Sequence, residues 1–215
     1  MSRQIFLLAL TALAIIMLVG CQQPVGMPNH DVQAATTVYC EVNDDEMWSG
    51  HVDLYSGFMT IDSCVDSFSP VVRRGYNEYQ NRPYPRQIGF CYFEVPAFSS
   101  LSPTCTLFYY QKDHYGLPEL EVRWASYPLS GAPAETLFWY SWGSDTVVAY
   151  DSTHSSNAWY KVPFTLDGCA IVGQIATGGG GTLITGWVYP GSTDGVYTEV
   201  YGATSDYAPY IKVVY

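Results

Sequence analysis

Residues 89–110 read GFCYFEVPAFSSLSPTCTLFYY, and the alternation within them sets the fold class for the rest of the chain. Successive side chains of an extended strand point to opposite faces, so Cys91, Phe93 and Val95 share one face of a first strand. Cys105, Leu107 and Tyr109 share one face of a second. The intervening PAFSSLSP is rich in Pro and Ser, which favour turns. The arrangement predicts an antiparallel hairpin with both apolar faces turned inward. Cβ atoms opposite each other in such a pair lie about 4.5–5.5 Å apart, near disulfide reach. The hairpin therefore nominates a bridge between Cys91 and Cys105.

The same period recurs outward from this pair. Candidate strands precede it at 36–42, 51–55 and 58–62, and follow it at 119–124, 145–150, 159–165, 183–189, 196–201 and 210–215. The sharpest is 119–124, where Glu119, Glu121 and Arg123 alternate with Leu120, Val122 and Trp124, so that one face is wet. Nineteen Tyr, six Trp and nine Phe favour pleated sheet. Only three lysines (Lys112, Lys161 and Lys212) are available for long solvated helices. Residues 170–176 are the one candidate short helix, ahead of the glycine run 178–181. That run is a flexible loop and not a phosphate cradle, because no GxxxxGK pattern follows. About ten short strands separated by turn signals predict an all-β domain over 37–215, a two-sheet antiparallel β-sandwich.

The run 89–110, the strand ending at Trp124 and the C-terminal APYIKVVY at 208–215 together resemble the DNRLRE-type extracellular β-sandwich domain of bacterial and archaeal surface proteins. Phe93-Glu94-Val95 matches the end of one family strand, 105–109 the next and 209–215 the last. The likeness spans 36–215 and lies in hydrophobic pattern and order. The hexapeptide for which the family is named has no counterpart here. The resemblance implies a jelly-roll-like, carbohydrate-binding-like module of a large secreted protein and transfers no catalytic residue.

Ahead of the sandwich, residues 5–19 form an uncharged apolar run behind Arg3, shorter than the roughly 20 residues of a bilayer span. It ends in Leu18-Val19-Gly20-Cys21, which resembles the bacterial lipobox. By that resemblance 1–20 is a lipoprotein signal peptide, Cys21 is the acylated residue, and Gln22 implies sorting to the outer membrane. Two or three acyl chains, at about 0.8 kcal/mol per buried CH₂, make a stable anchor. Residues 21–36, polar and punctuated by Pro and Gly, read as a flexible tether. Loss of Arg3 with the signal leaves 8 basic against 20 acidic side chains, net −12. Such a surface repels nucleic acid. The expected partners are the lipid membrane through Cys21 and surface polysaccharide or other envelope proteins.

On the oxidising side of a membrane, the five cysteines beyond Cys21 allow two bridges and one odd thiol. Cys40 with Cys64 is the second pair by order, which leaves Cys169. The alternative for each is a buried free thiol acting as a small hydrophobe. No CxxC pair occurs and no His has ligand spacing to a Cys, so no metal site is expected, nor is any cofactor. Asn43-Asp44-Asp45-Glu46 lacks the spacing of a calcium loop and reads as an acidic turn. His51, His114 and His154 are the histidines of the domain, with His30 in the tether. Asp113-His114 and Asp151 with His154 place acids near imidazoles, but no GxSxG or HExxH accompanies them, and no catalytic residue is expected.

For recognition, Trp139-Tyr140-Ser141-Trp142 is the densest group of rings. Exposed, Trp139 or Trp142 would stack on a sugar with Asp145 or Asn157 as polar support; the alternative places the rings in the core. The expected function is a lipid-anchored, non-catalytic structural or adhesive module of the cell surface. A carbohydrate-binding module is the alternative, and an envelope hydrolase, which needs a cleft around one of the histidines, is the third.

Overall fold

The computed structural model describes residues 35–42, 49–55, 58–63, 67–68, 71–72, 75–76, 83–84, 87–116, 119–125, 146–152, 155–190 and 196–215, with backbone alone over 50–87. The expected signal peptide, Cys21 and nearly all of the tether lie outside these residues. So do Cys64, the 43–46 turn, His154, Trp139, Trp142 and Asp145. The compact unit is Thr36–Tyr215.

Its strands are β1 (Thr37–Glu41), β2 (Ser49–Tyr55), β3 (Phe58–Ser63), β4 (Ser67–Phe68), β5 (Val71–Val72), β6 (Gly75–Tyr76), β7 (Pro83–Tyr84), β8 (Gln87–Val95), β9 (Thr104–Tyr115), β10 (Leu120–Trp124) and β11 (Val147–Asp151), then β12 (Ala158–Pro163), β13 (Gly181–Val188), β14 (Val196–Tyr201) and β15 (Tyr210–Val214). The helix α1 (Leu166–Thr177) lies between β12 and β13. Two antiparallel sheets pack against each other as a β-sandwich. One is built on β9, which pairs with β12 along one edge and with β15 and then β14 along the other, β1 lying outside β15. The second is built on β8, flanked by β2 and β13, with β3 beyond β2 and β10 and β11 beyond β13. Pairing passes from β14 through β5 to β8, and a bridge between Ala149 and Phe164 joins the sheets again.

The alternation read from sequence is realised in these strands. Phe93, Leu107, Tyr109, Leu120, Val122, Leu183, Trp187 and Ile211 all face the core and are buried. Glu121 and Arg123 share the other face of β10, where Arg123 Nε donates to Glu121 Oε2 at 2.8 Å. This face is drier than expected, since the two side chains are only 16% and 19% exposed.

The expected hairpin does not form. β8 pairs with β2, β5 and β13, and β9 with β12, β14 and β15. The segment PAFSSLSP carries the chain from one sheet to the other, and Phe98 within it is buried, stacked on Tyr215 with centroids 4.5 Å apart. Packed sheets lie about 10 Å apart, a gap that a connection of this length spans. Cys91 and Cys105 therefore both face the core, but from different sheets, and both are free thiols. Cys40 in β1 is free and buried as well.

The helix begins earlier than 170. Thr165 caps it, its Oγ accepting from the Gly168 N–H at 3.0 Å and donating to Val147 O at 2.8 Å, so the candidate strand 159–165 stops at Pro163 and the cap begins the helix. Gly168, Cys169, Ile171, Val172, Gly173 and Ala176 turn inward. A Cβ on Gly173 would fall 2.6 Å from Leu101 O, which is why the helix can seat directly on the crossover segment.

Candidate functional site

On β9 the inward residues Cys105, Leu107, Tyr109 and Gln111 alternate with half-buried residues, including Phe108, Tyr110 and Lys112, on the outer face. Strand register gathers further rings around the latter. Phe108 lies opposite Tyr210 of β15, and Tyr110 opposite Trp159 of β12. Phe108 and Tyr210 stack at 4.8 Å with planes 6° apart. Trp159 meets Tyr110 edge-on at 5.6 Å and Tyr210 at 5.9 Å.

The turn between β14 and β15 adds one more ring from above. Its shape is held by Ser205 N–H to Gly202 O, Ala208 N–H to Ser205 O, and Tyr207 N–H to Ser205 Oγ. Tyr207 then lies 4.5 Å from Tyr110, 5.2 Å from Tyr201 and 6.2 Å from Trp159, centroid to centroid. Tyr39 of β1 closes the other side, 5.9 Å from Tyr210. Trp159, Tyr39 and Tyr207 remain 46%, 52% and 42% exposed. Rings in that state gain less from burial than core rings do, and a contiguous exposed apolar patch marks an interaction surface.

Beside the rings lies an open groove of about 510 Å³, lined by Tyr39, Glu41, Val42, Trp159, Ser205, Asp206, Ala208, Pro209 and Tyr210. Glu41 and Asp206, both exposed, supply carboxylate acceptors to it. Lys112, at the far side of the platform, lies 5.7 Å above the Tyr201 ring and pairs with Glu199 at 2.7 Å. Flat apolar faces flanked by carboxylates suit a ligand that offers C–H surface and hydroxyl donors together.

Of the recognition residues expected from sequence, Asn157 is described. It is exposed, adopts a left-handed backbone with φ of 57°, and enters β12 two positions before Trp159. Trp139, Trp142 and Asp145 lie outside the described residues. The platform residues Trp159, Tyr207 and Tyr210 were not singled out from sequence. The signal was present in Phe108-Tyr109-Tyr110, where rings of both parities require one face of the strand to carry aromatics outward.

Of the acid and histidine pairs, the described residues bring Asp113 and His114 together with Ser156. Ser156 Oγ lies 3.0 Å from His114 Nδ1 and 3.1 Å from Asp113 Oδ1, while Asp113 also accepts from the His114 N–H at 2.8 Å and from Tyr197 OH at 3.1 Å. In a triad the acid orients the histidine through its other ring nitrogen; here Asp113 bonds the serine and the backbone. These donors, the His114 N–H first, hold the Asp113 carboxyl below its ordinary value. Asp151 is buried and accepts from Tyr109 OH at 2.8 Å. Burial and that carboxylate push the Tyr109 phenol up, so it stays a neutral donor. Of His51 only the backbone, in β2, is described. No family model matches the chain, and no curated protein matches it.

Proposed function

We propose that this protein is a non-catalytic adhesive module, tethered to a bacterial envelope membrane through an acylated Cys21, that holds carbohydrate on the Trp159 platform. The observation that carries the carbohydrate reading is the half-exposed Trp159, seated among Tyr110, Tyr207 and Tyr210 and bordered by a groove with Glu41 and Asp206. A sugar ring offers one apolar C–H face for stacking and hydroxyls for the carboxylates. A strongly acidic surface, net −11 over the whole chain, disfavours anionic polymers and leaves neutral glycans as the fitting class. The resemblance to DNRLRE-type surface domains supports the same reading.

The direct test is a screen of the purified protein against neutral and acidic polysaccharides, followed by titration calorimetry with Trp159→Ala and Tyr207→Ala. Binding to a neutral glycan that falls about tenfold in the Trp159→Ala protein supports the proposal; loss of one stacking partner is of that order. Binding unaffected by either substitution would move the site elsewhere. Absence of any hit returns the module to a structural or protein-binding role. The anchor is tested separately by intact mass in a lipoprotein-competent host, where loss of residues 1–20 with added acyl mass is expected, and Cys21→Ala abolishes both.

A further inference from the structure

We propose that the site takes an internal stretch of a linear polysaccharide, which runs from the Trp159 groove over Tyr39 and Glu41 into a second groove beside the glycine turn 178–181. This deepens the carbohydrate reading and rests on it. The second groove is open, holds about 400 Å³, and has Tyr39, Glu41, Glu94, Ala97, Gly180 and Thr182 among its lining residues. Tyr39 and Glu41 also line the groove of about 510 Å³ beside Trp159. The two cavities therefore meet at these two side chains.

The meeting point follows from strand parity. In β1 the buried Cys40 separates Tyr39 from Glu41, so both face outward, and register sets Glu41 beside Tyr210 of β15. The second sheet supplies the walls of the other groove, where β13 starts and β8 ends, with Thr182 opposite Glu94 and Gly181 opposite Val95. The glycine turn is tied to the last turn of α1, Gly179 N–H donating to Ala176 O at 3.2 Å and Gly180 N–H to Ile175 O at 3.1 Å. Gly180, with φ of 87°, packs on the start of the crossover, where a Cβ would fall 2.9 Å from Val95 O. Only glycine fits so close, and the groove wall there is bare backbone.

Each cavity has the size, about 300–1,000 Å³, that takes a small ligand by itself. A single sugar ring cannot occupy both, whereas a chain of sugars presents the same apolar face and the same hydroxyls at every unit. The grooves divide the work. Trp159 and Tyr210 offer ring faces in the first, while the exposed Glu94 carboxylate and Thr182 hydroxyl offer acceptors for sugar hydroxyls in the second. Among the described residues that line the two grooves there is no Lys, Arg or His. A chain of acidic sugars would thus meet carboxylates without a counter-charge, and a neutral chain is the one that fits. Its affinity grows with length until both grooves are filled.

The test is calorimetric titration of the purified full-length protein with linear cello-, xylo-, manno- and malto-oligosaccharides of two and of six units. In a series that binds, the six-unit chain is expected to bind about tenfold more tightly than the two-unit chain. Ala97→Trp, at an exposed position of the second groove, should abolish that gain by filling the groove, and Glu94→Ala should reduce it. Trp159→Ala should weaken both lengths. Equal affinity for the two lengths, or a gain with length that survives both Ala97→Trp and Glu94→Ala, would overturn the extended site, while loss of short-chain binding in Trp159→Ala would leave the carbohydrate reading standing. No binding in any series would overturn both. Should Ala97→Trp fail to fold, Glu94→Ala decides by itself.

Discussion

Tyr109 and Tyr110 are adjacent on β9, yet Tyr109 is sealed between the sheets while Tyr110 lies on the outer face among Trp159, Tyr201 and Tyr207. Tyr109 stacks on Tyr160 at 5.2 Å, meets Trp187 edge-on at 5.4 Å, and spends its hydroxyl on Asp151. Every surface of that side chain is used, which is the condition for a phenol in the core. The rings around Tyr110 meet many neighbours at steep angles and stay partly open to water. One strand thus carries the core packing on one face and the proposed recognition surface on the other, and a substitution should register on one readout or the other according to parity.

The inner face gives the largest expected effect. Tyr109→Ala should cost about 3–5 kcal/mol in denaturant unfolding. Tyr109→Phe, which keeps the ring but takes a donor from buried Asp151, should cost about 1–3 kcal/mol. On the outer face Trp159→Ala should change stability by no more than about 0.5 kcal/mol, its effect appearing in glycan binding instead. A Trp159→Ala protein as destabilised as Tyr109→Ala would break the division between the faces.

The smallest effect is expected where the division itself ends. Beyond Gln111 the strand runs out of the core, and Asp113 is exposed while held by His114, Ser156 and Tyr197. Its carboxyl is depressed below 3.8 in the folded protein. The contribution it makes is therefore fully present above the ordinary carboxylate range and is lost as pH falls through the lowered value. An NMR titration of Asp113 with a midpoint below 3.8 is expected, together with a slightly shallower acid unfolding slope in Asp113→Asn. A midpoint at or above that value would show that the polar knot does not persist in water.

Period-two alternation made the strands legible because it is a local property: side-chain direction follows from the backbone of each segment alone. Val196–Tyr201 and Phe58–Ser63 are found where their sequences place them, as is the inward set of Cys91, Phe93, Cys105 and Leu107. The all-β sandwich follows from those patterns, together with turn residues and a scarcity of helix formers. Parity says which way a side chain faces and nothing about which sheet it belongs to. Local pattern therefore predicts a hairpin at PAFSSLSP where the chain crosses over, and it pairs Cys91 with Cys105, both facing inward, although their strands belong to different sheets. The aromatic platform needs β9, β12, β15 and the turn before β15, with Trp159 and Tyr210 brought to Phe108 and Tyr110 by register and Tyr207 by the turn. Such juxtapositions depend on pairing between distant segments, whose free energy comes from burial shared by the whole domain, and tertiary structure alone decides them.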